Sequence, residues 1–193
     1  MIKLKTPISE EEIRKLQIGD TVLLSGVIVT ARDQAHKLMI EEKPDFIRDV
    51  LKESVIYHCG PVVRQDEKGA WHFVSAGPTT SAREEPYQSE VIREYKVRGI
   101  IGKGGMGPKT AEGLKKYGAV YFHAVGGAGT LIANAVKKVL AVHKLEEFGT
   151  PEAFWVIEVQ DFPLVVTMDT HGGSIHKKVL EKSSKIADRL IGS

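Results

Sequence analysis

Four times along this chain an apolar, β-prone run passes straight into a turn of small or polar residues, and a helix-forming stretch follows. The turns are TARD (30–33), AGPTTSAR (76–83), GKGGMG (102–107) and VGGAGT (125–130). Strand, turn and helix in repeated alternation predict an α/β fold. The same pattern predicts where a ligand would sit. In open α/β sheets, strand C-terminal ends and the helix N-termini after them gather along one side. Free N–H groups and helix dipoles there attract anions. Three of the turns carry a cation, Arg32, Arg83 and Lys103, and PTTS adds three hydroxyls. If the turns converge, they form a small pocket of donors and positive charge. Arginine suits a carboxylate or phosphate bidentately, whereas lysine is a point charge that can stabilise developing negative charge.

Around these turns the elements read as follows. Ser9, with Glu12 three residues on, forms a capping box, and Ile8 and Ile13 occupy the hydrophobic-staple positions of a first helix. Residues 21–31 are a strand, and the following RDQAHKLMIEE is a helix stopped by Pro44. Residues 54–63 read as a strand broken at Gly60-Pro61; a turn at 66–69 leads to a second strand at 70–77. Residues 90–97 form a short helix and 98–102 a short buried strand. The next helix, 109–118, ends at Gly118, a suitable C-cap. Residues 119–125 are a strand, and the helix LIANAVKKVLAVHKLEEFG, or its first part, follows. Pro163 divides the β-rich stretch 153–169 into two edge-type segments. Residues 176–192 are helical. The β-rich first half and the C-terminal β stretch indicate more than one simple parallel sheet.

At 193 residues the chain suits one substantial domain, 1–193, with a real core. Its net charge of +2 and lack of a Lys/Arg block argue against nucleic acid. No run reaches the eighteen or so apolar residues of a membrane span, and MIKLKTPISEEE has no apolar signal core. Cys59 is the single cysteine, so no internal disulfide can form, and a reduced, cytoplasmic setting is expected. One thiol also cannot hold an iron–sulfur cluster, which ordinarily takes several.

The stretch GIIGKGGMGPKT places Gly102, Gly104 and Gly107 in G-x-G-x-x-G spacing. Two nucleotide readings can be tested on it. A Walker loop needs Gly-Lys-Ser/Thr, and Pro108 intervenes between Gly107 and Lys109. A dinucleotide fingerprint needs an acidic residue about twenty positions on, and neither AVYFHAV nor GGAGT supplies one. A non-catalytic anion- or nucleotide-binding module stays as the alternative from another class.

Taken together, the segments GDTVLLSGVIVTARDQAHK, IYHCGPV, SAGPTTSAR, IGKGGMG, AVYFHAVGGAGTLIA and FWVIEVQDFPLVVTMD resemble the β subunit of class I, iron–sulfur-dependent fumarate hydratase and L-tartrate dehydratase. This subunit is equivalent to the C-terminal domain of the single-chain enzymes. The segments come in family order across most of residues 19–169. The resemblance implies a single swivelling β/β/α domain with mixed sheets. It implies a hydro-lyase that reversibly adds water across a C4 dicarboxylate double bond, fumarate to malate, with tartrate dehydration as the alternative. A [4Fe–4S] cluster serves as Lewis acid, and its cysteines belong to an α subunit. None is expected on this chain, which would act as a hetero-oligomer, with a homodimer as the alternative when it is isolated. Carried over by motif, Arg32 and Arg83 hold substrate carboxylates, and Lys103 binds the carboxylate beside the carbon that loses its proton. Thr79, Thr80 and Gly104 line the substrate, and Thr79 is the candidate for proton transfer. Its hydroxyl is far too weak an acid to ionise unaided, so it would need an activating carboxylate, expected from the α chain. One position departs from the pattern. The family has an apolar residue, often Met, after TTSAR, and here it is Glu84.

Other polar residues have plainer readings. Asp33 suits the first turn of a helix. His36 is a pocket donor or helix surface. Cys59, beside His58, reads as a small core residue. His171 and His176 in HGGSIH lack further evident ligands for a metal. Glu158 and Asp161 suit the fold or a subunit contact.

Overall fold

The computed structural model describes residues 1–192. Its strands are β1 (Ile2–Lys5), β2 (Thr21–Thr30), β3 (Val55–Tyr57), β4 (Val62–Gln65), β5 (Trp71–Ser75), β6 (Gly99–Gly102), β7 (Val120–His123), β8 (Val136–His143) and β9 (Phe154–Met168). The α-helices are α1 (Glu10–Arg14), α2 (Asp33–Glu41), α3 (Arg48–Leu51), α4 (Glu85–Tyr95), α5 (Pro108–Tyr117), α6 (Gly129–Ala133), α7 (Leu145–Phe148) and α8 (Ile175–Ile191). Helical crossovers between β2, β3, β6 and β7 make these strands parallel neighbours. β9 then runs antiparallel to both β7 and β2, so the hydrogen-bond ladder returns to its start. The result is a closed ring, β2–β3–β6–β7–β9, flanked by β1 on β2 and β8 on β9. The β4–β5 hairpin forms a small sheet of its own.

The two-residue period of the strands sorts the core. Val55 and Tyr57 of β3, Ile101 of β6, and Val120 and Phe122 of β7 join Leu24, Ile28, Phe162 and Trp155 in one buried cluster. The alternate residues face the helices. Ile56 packs with Leu38, Met39, Val91 and Tyr95, and Ile100 and Tyr121 pack with Ile92 and Leu114.

Several local expectations hold. Ser9 and Glu12 form the capping box, and Ile8 and Ile13 are buried. Gly118 caps α5 in the left-handed conformation (φ 70°), where a side chain would be strained.

The structure adds one element, decides one alternative and corrects one expectation. Residues 2–5 form a strand, sustained by parallel pairing of Ile2–Lys5 with Val22–Ser25. Only the first part of the stretch from Leu131 is helical; residues 136–143 are strand because they pair with the first half of β9. Residues 154–168 are one strand, with Pro163 inside it. The proline is tolerated because of where it falls. β8 covers β9 up to Val159 and β7 covers it from Val165, so on that side Pro163 lies in the gap between two partners.

Candidate functional site

The register of the parallel strands decides what their ends present. Thr30 lies beside Tyr57, Tyr57 beside Ile101, and Gly102 beside His123. Arg32, His58, Lys103 and Ala124 therefore emerge along one end of the ring. The loop after β5 is laid across that end by backbone hydrogen bonds. Thr79 N–H donates to the His58 carbonyl (2.8 Å), Lys103 N–H to the Thr79 carbonyl (3.2 Å), and Ser81 N–H to the Lys103 carbonyl (3.1 Å). Thr80 and Lys103 form a parallel bridge. The VGGAGT turn closes in from the other side. Ala76 N–H donates to the Gly129 carbonyl (2.9 Å), and a methyl on Gly126 would lie 3.6 Å from Cδ of Lys103. A methyl on Gly104 would lie 4.0 Å from Thr80 Cγ2. Three of the four turns thus meet, and Thr79, Thr80, Lys103, Gly104 and Gly126 are close neighbours.

The two arginines join the group from its α2 side. The Arg32 side chain is 19% exposed, and its Nη2 lies 3.3 Å from Glu152 Oε1. A methyl on Gly60 would fall 2.7 Å from its Nη1, so the guanidinium reaches across the end of β3. Its Nε is buried and without a hydrogen-bond acceptor. Arg83 is more open and contacts Asp33 at 3.7 Å. Asp33 follows Arg32 directly and so links the two arginines. Among the described residues Lys103 has no carboxylate partner.

Beneath these groups runs a buried polar chain that the sequence did not signal. His36 is wholly buried, so it is neither helix surface nor an open pocket donor. Its Nδ1 lies 2.9 Å from the Arg32 carbonyl, and its Nε2 lies 3.1 Å from the Gln88 Oε1 position. His58 Nε2 meets the same position at 2.8 Å, and its Nδ1 lies 2.8 Å from Ser81 Oγ, which in turn meets Tyr121 OH at 2.8 Å. Burial lowers His36 to about 4 and His58 well below its ordinary value, so both rings are neutral. A neutral His36 donating from Nδ1 to the Arg32 carbonyl leaves Nε2 as an acceptor. The Gln88 amide nitrogen is otherwise unpartnered; turned between the rings, its two N–H bonds serve both. The network therefore fixes the backbone of Arg32 and of the TTS turn at once.

The other sequence candidates resolve individually. Cys59 is fully buried, and burial pushes its thiol up to about 12, which suits a core residue and neither a nucleophile nor a ligand. It is the chain's only thiol, so these residues do not fit an iron–sulfur cluster. His171 Nε2 contacts the Arg14 carbonyl and His176 Nε2 contacts Thr167 Oγ1; the two serve different local bonds. Glu158 lies exposed on β9, and Asp161 takes a left-handed conformation there (φ 52°), its N–H bonded to Ser25 Oγ. The start of α5, where a glycine-loop phosphate would bind, is already filled. Glu85 accepts from Gly107 N–H (2.7 Å), Thr110 N–H (3.1 Å) and Thr110 Oγ1 (2.7 Å). A phosphate would have to displace that carboxylate.

With this geometry in hand, the comparisons with known proteins are specific. The family model described as Fumarase C-terminus matches residues 1–179. A putative fumarate hydratase class I of Geobacillus stearothermophilus is 49% identical over 184 residues, covering 95% of this chain and 35% of that protein. The chain thus spans about a third of that relative's length. The putative L(+)-tartrate dehydratase subunit beta of Methanocaldococcus jannaschii is 44% identical over 191 residues, covering 96% of each chain. The L(+)-tartrate dehydratase subunit beta of Escherichia coli K12 is 40% identical over 187 residues, covering 96% of this chain and 90% of that one. A match over nearly the whole chain, with the TTSAR and GKGG turns at one end of the ring, makes this protein a member of the fumarase C-terminus family.

Proposed function

We propose that this chain is the substrate-gripping β subunit of an iron–sulfur hydro-lyase that interconverts fumarate and malate, and that it works only with an α subunit carrying the cluster. The observation that supports this most is a cation without a counter-ion and a guanidinium N–H without an acceptor at one end of the ring. Lys103 lacks a counter-ion among the described residues, and the buried Arg32 Nε lacks an acceptor. Buried donors without acceptors are rare and call for a ligand of opposite charge. A small dicarboxylate supplies two anionic ends, and Arg32, Arg83 and Lys103 are the cations that would hold them.

In this reading the arginines bind and orient the carboxylates, and Lys103 faces the one next to the carbon that loses its proton. Removing that proton spreads negative charge onto the neighbouring carboxylate, and a fixed ammonium there lowers the barrier because it is in place beforehand. Thr79 and Thr80 lie against Lys103 through the backbone bonds of their turn, which brings both residues to the lysine. Thr79 takes part in proton transfer only with an activating carboxylate from the partner. No residue of this chain is assigned to the cluster.

Tartrate dehydration is the second reading, and one observation favours it. The relatives matched over nearly their whole length are named L(+)-tartrate dehydratase subunit beta, whereas the fumarate hydratase relative is a longer chain. Anaerobic reconstitution with the α subunit, followed by assays on malate and on tartrate, tests both. Turnover of malate is expected, and this chain alone should be inactive and colourless. Turnover of tartrate alone would favour the second reading; turnover of neither acid would refute both.

A further inference from the structure

Glu84 sits where the TTSAR turn enters α4 and is wholly buried. Neither of its carboxyl oxygens has a hydrogen-bond partner, and neither does the buried Oδ1 of Asp33. These two carboxyls face one another. Arg32 and Tyr121 lie within electrostatic reach of Glu84, His58 Nδ1 lies 3.9 Å from Glu84 Oε2, and Arg83 adjoins it in sequence. His58 is neutral, so that contact is no ion pair. Two ionised carboxylates would leave the oxygens of the buried Glu84 and the buried Oδ1 of Asp33 as unpaired acceptors beside one another. A single proton removes the conflict. Placed on Glu84, it makes an O–H that donates to Asp33, satisfying an orphan atom on each residue and leaving one negative charge on the pair. Asp33 then keeps the anion that faces Arg83 Nη1 at 3.7 Å.

We infer that Glu84 is a carboxylic acid at neutral pH, that its proton bridges to Asp33, and that the pair positions Arg83 for the substrate carboxylate. Glu84 is a positioning residue; it acts through Asp33 and does not touch substrate. Burial, with the Asp33 carboxyl, pushes Glu84 up to about 8, in keeping with that geometry. Above that pH a second negative charge appears beside the arginines, so dicarboxylate affinity should fall while the chemical step is spared. The role for Arg83 rests on the function proposed above; the location of the proton does not.

The test has two arms. Infrared titration of the full chain should show a protonated-carboxyl C=O band at neutral pH that disappears through about pH 8 and is missing in Glu84→Gln. If that variant does not fold, carbon NMR of wild-type chain labelled at glutamate carboxyls should show one glutamate with the same high midpoint. Absence of any protonated carboxyl at neutral pH, by either measurement, overturns the inference. The second arm uses the reconstituted complex. Wild-type KM should rise about tenfold at alkaline pH, as expected for one added charge nearby, with kcat little changed. Glu84→Gln, neutral and able to donate to Asp33, should keep the neutral-pH KM and lose the alkaline rise. An unchanged rise in that variant overturns the positioning role. A complex that turns over neither acid overturns the substrate reading, and with it the role given to Arg83, while the infrared arm decides the proton by itself.

Discussion

Replacing His36 should flatten the acid side of the stability curve by an amount the structure sets. The ring is wholly buried, and desolvation lowers it from its ordinary 6.5 to about 4. The folded chain thus refuses a proton that the unfolded chain accepts. Stability from this group is fully present above 6.5 and is lost as pH falls towards 4. The full difference corresponds to about 3 kcal/mol at roughly 1.4 kcal/mol per pH unit, of which roughly 2 kcal/mol is gone by about pH 5. His58 pulls the same way. Glu84 pulls the other way. Its raised value gives stability that is present below 4.5 and lost as pH rises through about 8, so acidification strengthens it. The wild-type curve therefore sums opposing contributions, and only a difference isolates one of them. Urea denaturation followed by circular dichroism, on wild type and His36→Gln at about pH 7 and about pH 5, supplies that difference. The fixed cost of the substitution cancels. Wild type should lose roughly 2 kcal/mol more than the variant over that interval. Parallel pH dependences in the two proteins would refute the claim that His36 is held neutral by burial.

Three further outcomes are expected. Lys103→Met should lower turnover of the reconstituted complex by about a hundredfold or more, the scale of losing one preorganised charge, with an unchanged circular dichroism spectrum; wild-type turnover would remove Lys103 from the chemistry. Gly102→Ala should cost about 1–3 kcal/mol in urea denaturation, because the new methyl falls on Ser81 Oγ and lies 2.9 Å from Tyr121 OH; an unchanged midpoint would show that the polar chain yields easily. Glu85→Ala should cost about 1–2 kcal/mol by removing the acceptor at the start of α5, read as a lowered thermal midpoint; no shift would mean the three bonds to Glu85 contribute little.

What the sequence revealed and concealed follows from the range of the forces involved. The Ser9–Glu12 box and the Gly118 cap are local devices, complete within a few residues, and they were legible. So was the set of four turns, because each is a strand end written in small or polar residues, and three of them add a cation. β1 and β8 were not legible. Their short segments become strands only by pairing with β2 and β9, and VKKVLAVH is as compatible with a helix when taken alone. His36 and Gln88 are 52 residues apart and His58 and Gln88 are 30 apart, so their network exists only in the fold. Glu84 stood out as a departure from the family pattern, yet its burial depends on how the turn before α4 seats against α2.

The closed ring has one more consequence, for how the protein behaves in a crowded solution. β2, β3, β6, β7 and β9 each have a neighbour on either side, so the outermost strands of the main sheet are β1 and β8. Those two strands carry Lys3, Lys5, Lys137 and Lys138, all exposed. Lysines along an outermost strand repel a second sheet that would extend the ladder. The two outermost strands of the main sheet are thus guarded against edge-to-edge association by charge.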